Sequence, residues 1–370
     1  MKIDVTKIDS ESFMVHQHEL FGEMVLLVQP IHIGAKYSKD TLIFRSSVWD
    51  MEGNLVSPSF RKFFNDIECP QIDPLPENIA SGEAIEKIDG STVIFSLFKN
   101  NLVMRTRGTV DARDQDNGYE FVQLAEKYHI EKVMRELNSN AQITLLFEIT
   151  SPVQKIVIDY GPEPEFWLTG AVRHEDYSYL TQKELDDIAT KYGFRRPKRY
   201  SFKSMAELQE TVTAFRGVEG ICFYFHGGQC IRKFKSANYL YLHRAKSEVA
   251  SLEKVMDVYL DFFFNSGSET PPTYTEFFAY LEKTFDFEIA TMATSNSSQI
   301  CDGMKEVVKI IASLKKTVAS CAGLSRKQAA YTILQSHGNS GRSSMMFKML
   351  DGKTLDKDDY KKLLFQILKK

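Results

Sequence analysis

Apolar residues recur with a period of two, in short runs broken by turn residues, over roughly the first 247 positions. Beyond them the period lengthens to about 3.6. The early runs predict strands. Met24–Val28 and Thr41–Trp49 are two of them, the second closed by the turn Asp50-Met51-Glu52-Gly53-Asn54. Ser91–Phe98 and Leu102–Thr106 flank Lys99-Asn100-Asn101, a hairpin signal in which asparagine tolerates positive φ. Ile143–Ile149 and Lys155–Asp159 bracket a turn at Ser151-Pro152. Two helices interrupt this region, each opened by a capping box: Thr181-Gln182-Lys183-Glu184 and Ser204-Met205-Ala206-Glu207.

In the second region Val249, Leu252, Met256, Tyr259 and Phe263 follow helical spacing. Thr273-Tyr274-Thr275-Glu276 caps a helix that turns Phe277, Tyr280, Leu281 and Phe285 toward a core. Further helices are predicted near 298–318, 325–336 and 356–368, with Gly338 as a stop. The methionine and aromatic stripes read as core packing. The expected fold is α+β: antiparallel sheets with flanking helices over 1–247, then an all-α domain over 248–370.

Composition agrees with two domains. A chain of 370 residues is long for one core, and 43% hydrophobic with 26% charged residues describes a soluble globular protein. No apolar stretch approaches the ~20 residues that span a bilayer, and Met1-Lys2-Ile3-Asp4 lacks the layout of a secretory signal. Cys69, Cys222, Cys230, Cys301 and Cys321 form no zinc or redox spacing, so reduced structural thiols in a cytoplasmic protein are expected. A net charge of -3 advertises no nucleic-acid surface, which must come from local clustering.

The chemistry centres on Glu86-Lys87-Ile88-Asp89-Gly90-Ser91, set between two apolar stretches. Lys-x-Asp-Gly suits an ordinary surface turn, and it is also how nucleotidyl-transfer enzymes present an amine to the α-phosphate of ATP or GTP. Such chemistry needs cations for a triphosphate, carboxylates for Mg²⁺ and one uncharged amine. The chain supplies them in order: Arg45 after Leu42-Ile43-Phe44, Lys62 before Phe63-Phe64-Asn65, Glu148 after Leu145-Leu146-Phe147, Glu219 before the strand Ile221–Phe225, and Lys233 and Lys235 on the returning strand. Alternate strand residues share a face, so Lys233 and Lys235 project together. Glu219 joins them only if the hairpin pairs it with Lys235 and Ile221 with Lys233, leaving the bulged three-residue loop His226-Gly227-Gly228. A two-residue Gly227-Gly228 loop predicts Glu219 on the other face. No Gly-x-x-x-x-Gly-Lys-Ser/Thr occurs, which excludes P-loop chemistry. Separately, Lys191, Arg195, Arg196, Lys198, Arg199 and Lys203 alternate with Tyr192, Phe194, Tyr200 and Phe202, without one acid. That pattern suits single-stranded RNA, and equally a solvated basic loop.

Over roughly residues 40 to 245 the chain resembles the ATP-dependent RNA ligases of the covalent nucleotidyltransferase superfamily, specifically the RNA ligase 1 branch of T-even phages. The residues that carry the resemblance are Lys87-Ile88-Asp89-Gly90-Ser91, Phe44-Arg45 through Pro58-Ser59-Phe60-Arg61-Lys62-Phe63-Phe64-Asn65, Phe147-Glu148-Ile149-Thr150-Ser151-Pro152 with Ile156-Val157-Ile158, Glu219-Gly220, and Lys233-Phe234-Lys235-Ser236 with Tyr239 and Leu242-His243. Ser46 stands where glycine is usual and Arg107 where lysine is usual. The metal-linked aspartate expected near the helical domain has no clear counterpart, Asn265 lying nearest and Asp261 being a poor substitute.

The resemblance implies a ligase of the ATP-grasp-like nucleotidyltransferase type over 1–247 and an RNA-specificity role for 248–370. It implies that Lys87 forms a lysyl-AMP, that AMP passes to a 5′-phosphate RNA end, and that a 3′-hydroxyl then seals the strand, as in tRNA repair. By the same resemblance Lys235 contacts the α-phosphate, and Arg45, Lys62, Asp89, Gly90 and Lys233 belong to the ATP site. Glu219 and Glu148 organise Mg²⁺ or Mn²⁺, Glu148 holding the ribose as an alternative. Arg107, with Arg195, Arg196, Lys198 and Arg199, is expected to meet RNA. Repulsion from Lys233, Lys235 and bound Mg²⁺ is expected to lower the Lys87 pKa from its ordinary ~10.4. The protein is expected to be a monomer acting in the cytoplasm, of a host if it is viral. Competing readings are a DNA ligase or capping guanylyltransferase, which follow the last motif with a β-barrel, and a non-catalytic RNA-binding relative.

Overall fold

The computed structural model describes all residues except 32–34, 250, 285–289, 291–292, 339 and 370, and no side chains at 247–249. Phe285 and the side chain of Val249 therefore lie outside the described residues. The chain forms two compact units, Met1–Tyr241 and Leu242–Lys370, which divide inside the helix Ala237–Val249 and so ahead of residue 247.

Among the described residues, thirteen strands of the first unit make three sheets. The first is a meander of β1 (Phe13–Leu20), β2 (Glu23–Pro30), β3 (Ser47–Asp50) and β4 (Leu55–Ser57). β5 (Phe64–Asn65), β6 (Glu83–Lys87), β11 (Arg199–Tyr200), β12 (Gly220–Phe225) and β13 (Cys230–Lys235) form the second, in the order β11-β6-β12-β13-β5. The third has the order β10-β9-β7-β8, from β7 (Ser91–Phe98), β8 (Asn101–Thr106), β9 (Ile143–Thr150) and β10 (Glu165–Arg173).

Alternation along these strands places the layers. Leu145, Phe147 and Ile149 of β9 pack with Val93 and Phe95 of β7 against α1 (Gly118–Lys127), α2 (Ile130–Leu137) and α3 (Gln182–Tyr192). Ala84, Ile221, Phe223, Phe225 and Phe234 cover the other sheet beneath α4 (Met205–Thr213). The opposite faces bring Ile85, Tyr224 and Ile231 together with Ile94, Leu146 and Val172, leaving the cavity between two sheets lined at one end by polar residues.

Two predicted strands differ. Leu42–Arg45 is a turn of 3-10 helix, with only Ser47–Asp50 extended; Leu42 packs with Phe64 and Ile72, while Ile43 and Phe44 join a separate core with Phe13 and Trp49. Lys155–Asp159 is irregular: the amides of Val157 and Ile158 donate to the Asp89 carboxylate (2.8 and 3.0 Å) rather than to a neighbouring strand. Thr181 and Glu184 form the reciprocal capping box. At Ser204 only half forms: its hydroxyl takes the Glu207 amide, while the Glu207 carboxylate takes the Lys203 amide at 2.6 Å. Helices α1 and α2 and strand β1 were not anticipated.

The second unit is helical. With α5 (Ala237–Val249) leading in, it comprises α6 (Leu252–Ser266), α7 (Tyr274–Thr284), α8 (Thr294–Ser320), α9 (Arg326–His337), α10 (Gly341–Leu350) and α11 (Lys357–Leu368). Val255, Met256, Tyr259, Phe263, Phe277 and Leu281 pack in its core with Ile300, Met304, Val307 and Leu364.

Candidate active site

Three neighbouring strands end at one level. Gly220, at the start of β12, pairs with Lys87 at the end of β6 and with Lys235 at the end of β13. Directly paired residues share a face, so both lysines rise from the same side of the sheet, with a glycine between them. Glu219, 1% exposed, fills that gap. Its Oε2 accepts from Lys87 Nζ at 2.8 Å and its Oε1 lies 2.9 Å from Lys235 Nζ.

This corrects the expected hairpin. β12 and β13 pair Gly220 with Lys235 and Cys222 with Lys233, closing at Phe225 and Cys230 around a four-residue loop with positive φ at His226, Gly227 and Gly228. Strict alternation in this register sends Glu219 to the far face, but the chain breaks alternation at Gly220. Its φ is +155°, and a Cβ there would sit 2.0 Å from the Phe234 carbonyl oxygen. Only glycine accepts that close approach. The Glu219 carbonyl meanwhile accepts from the Ser236 amide at 2.9 Å, which fixes the turn.

The cavity above these residues measures about 510 Å³, within the usual range for a small-molecule site. Arg45, Lys87, Gly90, Arg107, Glu148, Lys233 and Lys235 all line it; Lys62 and Asp89 do not. Arg45 ends the 3-10 turn and lies 5.0 Å over the Phe63 ring, whose centroid is also 5.4 Å from Lys233 Nζ. Phe63 thus supports two cations through its π system. Lys62 sits against Tyr37 and Phe64, near enough for Arg45 to depress its pKa after burial has done so. Gly90 lets β7 close on β9: a Cβ there would meet the Ile149 carbonyl oxygen at 2.1 Å.

Asp89 is a brace rather than a wall of the cavity. Its Oδ2 accepts from the Val157 and Ile158 amides and its Oδ1 from the Tyr239 hydroxyl at 2.7 Å, while its own amide donates to Tyr160. Both carboxylate oxygens accept hydrogen bonds from the protein, so this residue fixes the loop that carries Lys87. The signal was present in the sequence only as Tyr239.

Electrostatics also differ from expectation. Burial opposes the Lys87 ammonium, but Glu219, with Cys222 and Glu148, outweighs it and holds the amine above its ordinary pKa. The expected lowering is not seen because the Glu219 carboxylate, at 2.8 Å, favours the charged form of the amine. Lys233 behaves in the way expected of Lys87. Burial, then Arg45, Lys62, Lys87 and Lys235, push its pKa down to about 8. Burial raises Glu148 to about 7, against Lys87 and the Thr92 hydroxyl that donates to it at 3.0 Å.

A buried arginine that the sequence reading missed holds the rim. Arg105 is 0% exposed and donates to Ser57 Oγ (2.7 Å), Ser57 O (2.8 Å), Ser46 Oγ (2.9 Å), Ser46 O (3.1 Å) and Thr106 O (3.1 Å). Ser46, whose hydroxyl also donates to the Arg107 carbonyl at 2.8 Å, thereby has a use for its side chain where glycine is usual.

The basic stretch near 191–203 is largely neutralised. Arg195 pairs with Glu165 (3.1 Å), Arg196 with Asp186 (2.9 Å) and Gln182 (2.5 Å), and Arg199 with Glu83 (3.2 Å) and Asp186 (2.7 Å). Phe194 is in the core, and Tyr200 and Phe202 stack on one another beside Phe215. The acids come from other elements, which sequence proximity does not reveal. Lys198 lies over Tyr200, and Arg107 is exposed at the cavity. In the second unit, Asp261 pairs with Lys357 at 2.6 Å.

The chain is 26% identical over 231 residues to a putative bifunctional polynucleotide kinase/RNA ligase of Autographa californica nuclear polyhedrosis virus, an alignment covering 56% of this chain and 31% of that one. The chain thus spans about a third of that relative's length. Among solved structures, a Naegleria gruberi RNA ligase variant with ATP and Mn aligns at TM-score 0.43 and 15% identity, over 66% of this chain and 84% of that one. The same ligase with PPi aligns at TM-score 0.40 and 16% identity, over 62% and 76%. The profile of the RNA ligase family matches residues 42–271. That match runs from before Arg45 to beyond Lys235 and takes in more than half of the chain, so the protein belongs to the RNA ligase family.

Proposed function

We propose that this chain is an ATP-dependent ligase that joins 5′-phosphate and 3′-hydroxyl RNA ends through a lysyl-AMP on Lys87. The observation that carries the reading is the pair of amines, Lys87 and Lys235, held by one buried carboxylate at 2.8 and 2.9 Å in a cavity whose other charges are mostly cationic. A polyanion matches that surplus, although the whole chain has a net charge of -3.

Lys87 Nζ must lose a proton before it attacks, and Glu219 Oε2 is placed to take it. The nitrogen then bonds to the α-phosphorus as the bond from that phosphorus to the bridging oxygen breaks and pyrophosphate departs. Lys235, released from sharing Glu219, is the cation nearest the developing charge, with Lys233 and Arg45 along the phosphates. In the second step a 5′-phosphate oxygen of RNA attacks the same phosphorus, the P–N bond breaks and Lys87 nitrogen recovers a proton. In the third, the 3′-hydroxyl oxygen attacks the activated 5′-phosphate, losing its proton as AMP leaves.

No group of three or more protein ligands for a metal occurs among the described residues. Mg²⁺ bound through one or two carboxylates and substrate phosphates needs no such group. Glu219 and Glu148 fit that role for Mg²⁺ or Mn²⁺, which supplies charge neutralisation on the phosphate oxygens. We place the protein in the cytoplasm as a monomer, with a cleaved tRNA among its substrates. Incubation with ATP and Mg²⁺ followed by intact mass measurement tests the reading. The native chain is expected to gain one AMP and Lys87→Ala none; no adduct on the native chain, or one retained by the variant, refutes it.

A further inference from the structure

Lys233 and Lys235 line a second depression, of about 690 Å³, on the other side of the last strand. Its walls come from Asn65–Glu68, from Gln209 and Thr213 of α4, and from Leu240. Two apolar side chains in it are exposed: Leu240 at 48% and Ile67 at 82%, the latter the most exposed large apolar residue described. An apolar tip on a loose loop carries no meaning. This loop is braced. Arg232, 1% exposed, donates to the carbonyls of Asn65 (3.3 Å), Glu68, Cys69 (3.0 Å) and Asp73 (2.6 and 3.2 Å). The Asp66 amide donates to the Lys233 carbonyl at 3.0 Å, and the Glu68 carboxylate takes both the amide and the side-chain nitrogen of Asn65, at 3.0 and 2.7 Å.

We propose that this depression receives the first nucleotide of the 5′-phosphorylated RNA strand, its base against Ile67 and Leu240 and its phosphate at Lys233 and Lys235. The inference rests on the ligase reading above. It follows from continuity and charge. The same two amines border both cavities, so a phosphate entering from the depression reaches a phosphorus held over Lys87. The occupant must combine an apolar face with an attached anion, as a nucleobase and its phosphate do. Asp66 and Glu68 beside Ile67 disfavour further phosphates there, which selects a base for the outer part and a strand end over a strand interior. With the end so placed, its phosphate oxygen bonds to the adenylate phosphorus, the P–N bond breaks, and Lys87 nitrogen takes up a proton.

The test uses the full chain loaded with ATP and Mg²⁺ and then freed of nucleotide. Single-turnover AMP transfer is measured to a 5′-phosphorylated oligoribonucleotide and to the same strand abasic at its first position. Burying one apolar side chain against the base predicts a difference on the order of tenfold in half-saturating strand concentration. Ile67→Asp is expected to abolish that difference while forming lysyl-AMP at the native rate, and Leu240→Asp to reduce it. The proposal is overturned if the native chain treats the two strands alike, if Ile67→Asp discriminates undiminished, or if Ile67→Asp slows lysyl-AMP formation itself. Absence of lysyl-AMP on the native chain, seen before RNA is added, overturns the ligase reading and this proposal with it.

Discussion

Gly220→Ala tests whether the broken alternation at Gly220 is what delivers Glu219 to the lysines. The added Cβ would lie 2.0 Å from the Phe234 carbonyl oxygen and 2.8 Å from Lys235 Cα. A carbon–oxygen contact normally stands at about 3.3 Å, so β13 must recede by roughly an ångström where Lys235 begins. Holding alanine at the positive φ costs about 1–3 kcal/mol. Weakening the hydrogen bond from the Ser236 amide to the Glu219 carbonyl adds about 1 kcal/mol. A total of roughly 2–4 kcal/mol leaves a domain of ordinary stability folded. The larger consequence is local. Moving Lys235 and Glu219 by about an ångström costs on the order of a hundredfold in a reaction that depends on their placement. Urea unfolding and the rate of lysyl-AMP formation, followed by intact mass, measure the two effects separately. A variant that unfolds at the native midpoint, or that forms the adduct within about threefold of the native rate, refutes the argument.

Three further outcomes are expected. Lys233 is charged below its pKa of about 8 and neutral above it. Half-saturating ATP for adduct formation should therefore rise between pH 7 and pH 9, and Lys233→Arg, whose guanidinium stays charged, should flatten that rise. Burial lowers His174 to about 4, so the unfolded chain takes up its proton first. Its contribution is fully present above the ordinary pKa of 6.5 and is lost as pH falls to about 4, roughly 3 kcal/mol in all. Denaturation titrations of the native chain and His174→Gln should diverge over that window; parallel curves count against a neutral buried ring. Arg196→Ala removes bonds to Asp186 and Gln182 and should destabilise the fold by about 2 kcal/mol. RNA affinity should change less than twofold, and a larger loss in a filter-binding assay restores the stretch as an RNA surface.

The strands read from period two and the helices read from capping boxes follow from local chemistry, and there sequence and structure agree closely, as at Ser91–Phe98 and at Thr181. Differences arise where a distant partner decides. Lys155–Asp159 has an apolar pattern fit for a strand, but Asp89, far away in sequence, claims two of its amides. The basic stretch looks unpaired because Glu165, Asp186 and Glu83 lie on other elements. The members of the cavity were legible as residue types in order, whereas their protonation was not. Lys87 was expected to be the depressed amine, yet Glu219 at 2.8 Å reserves that condition for Lys233. Sequence spacing also could not choose between registers of the last hairpin, because one glycine outside the ladder overrides the face rule.

The braces around the cavity join residues far apart along the chain. Lys87 meets Glu219 across 132 positions, Asp89 meets Tyr239 across 150, and Arg232 reaches the Asn65 carbonyl across 167. Each closure carries a loop entropy that is recovered only when both ends are in place. During synthesis, then, the segment bearing Lys87 waits for almost the whole first unit to emerge before any of these contacts can form. Assembly of the reactive centre is consequently a late folding event with high contact order. A polypeptide stopped ahead of Glu219 would expose the lysine without its carboxylate, so incomplete chains carry the nucleophile but not the device that governs it.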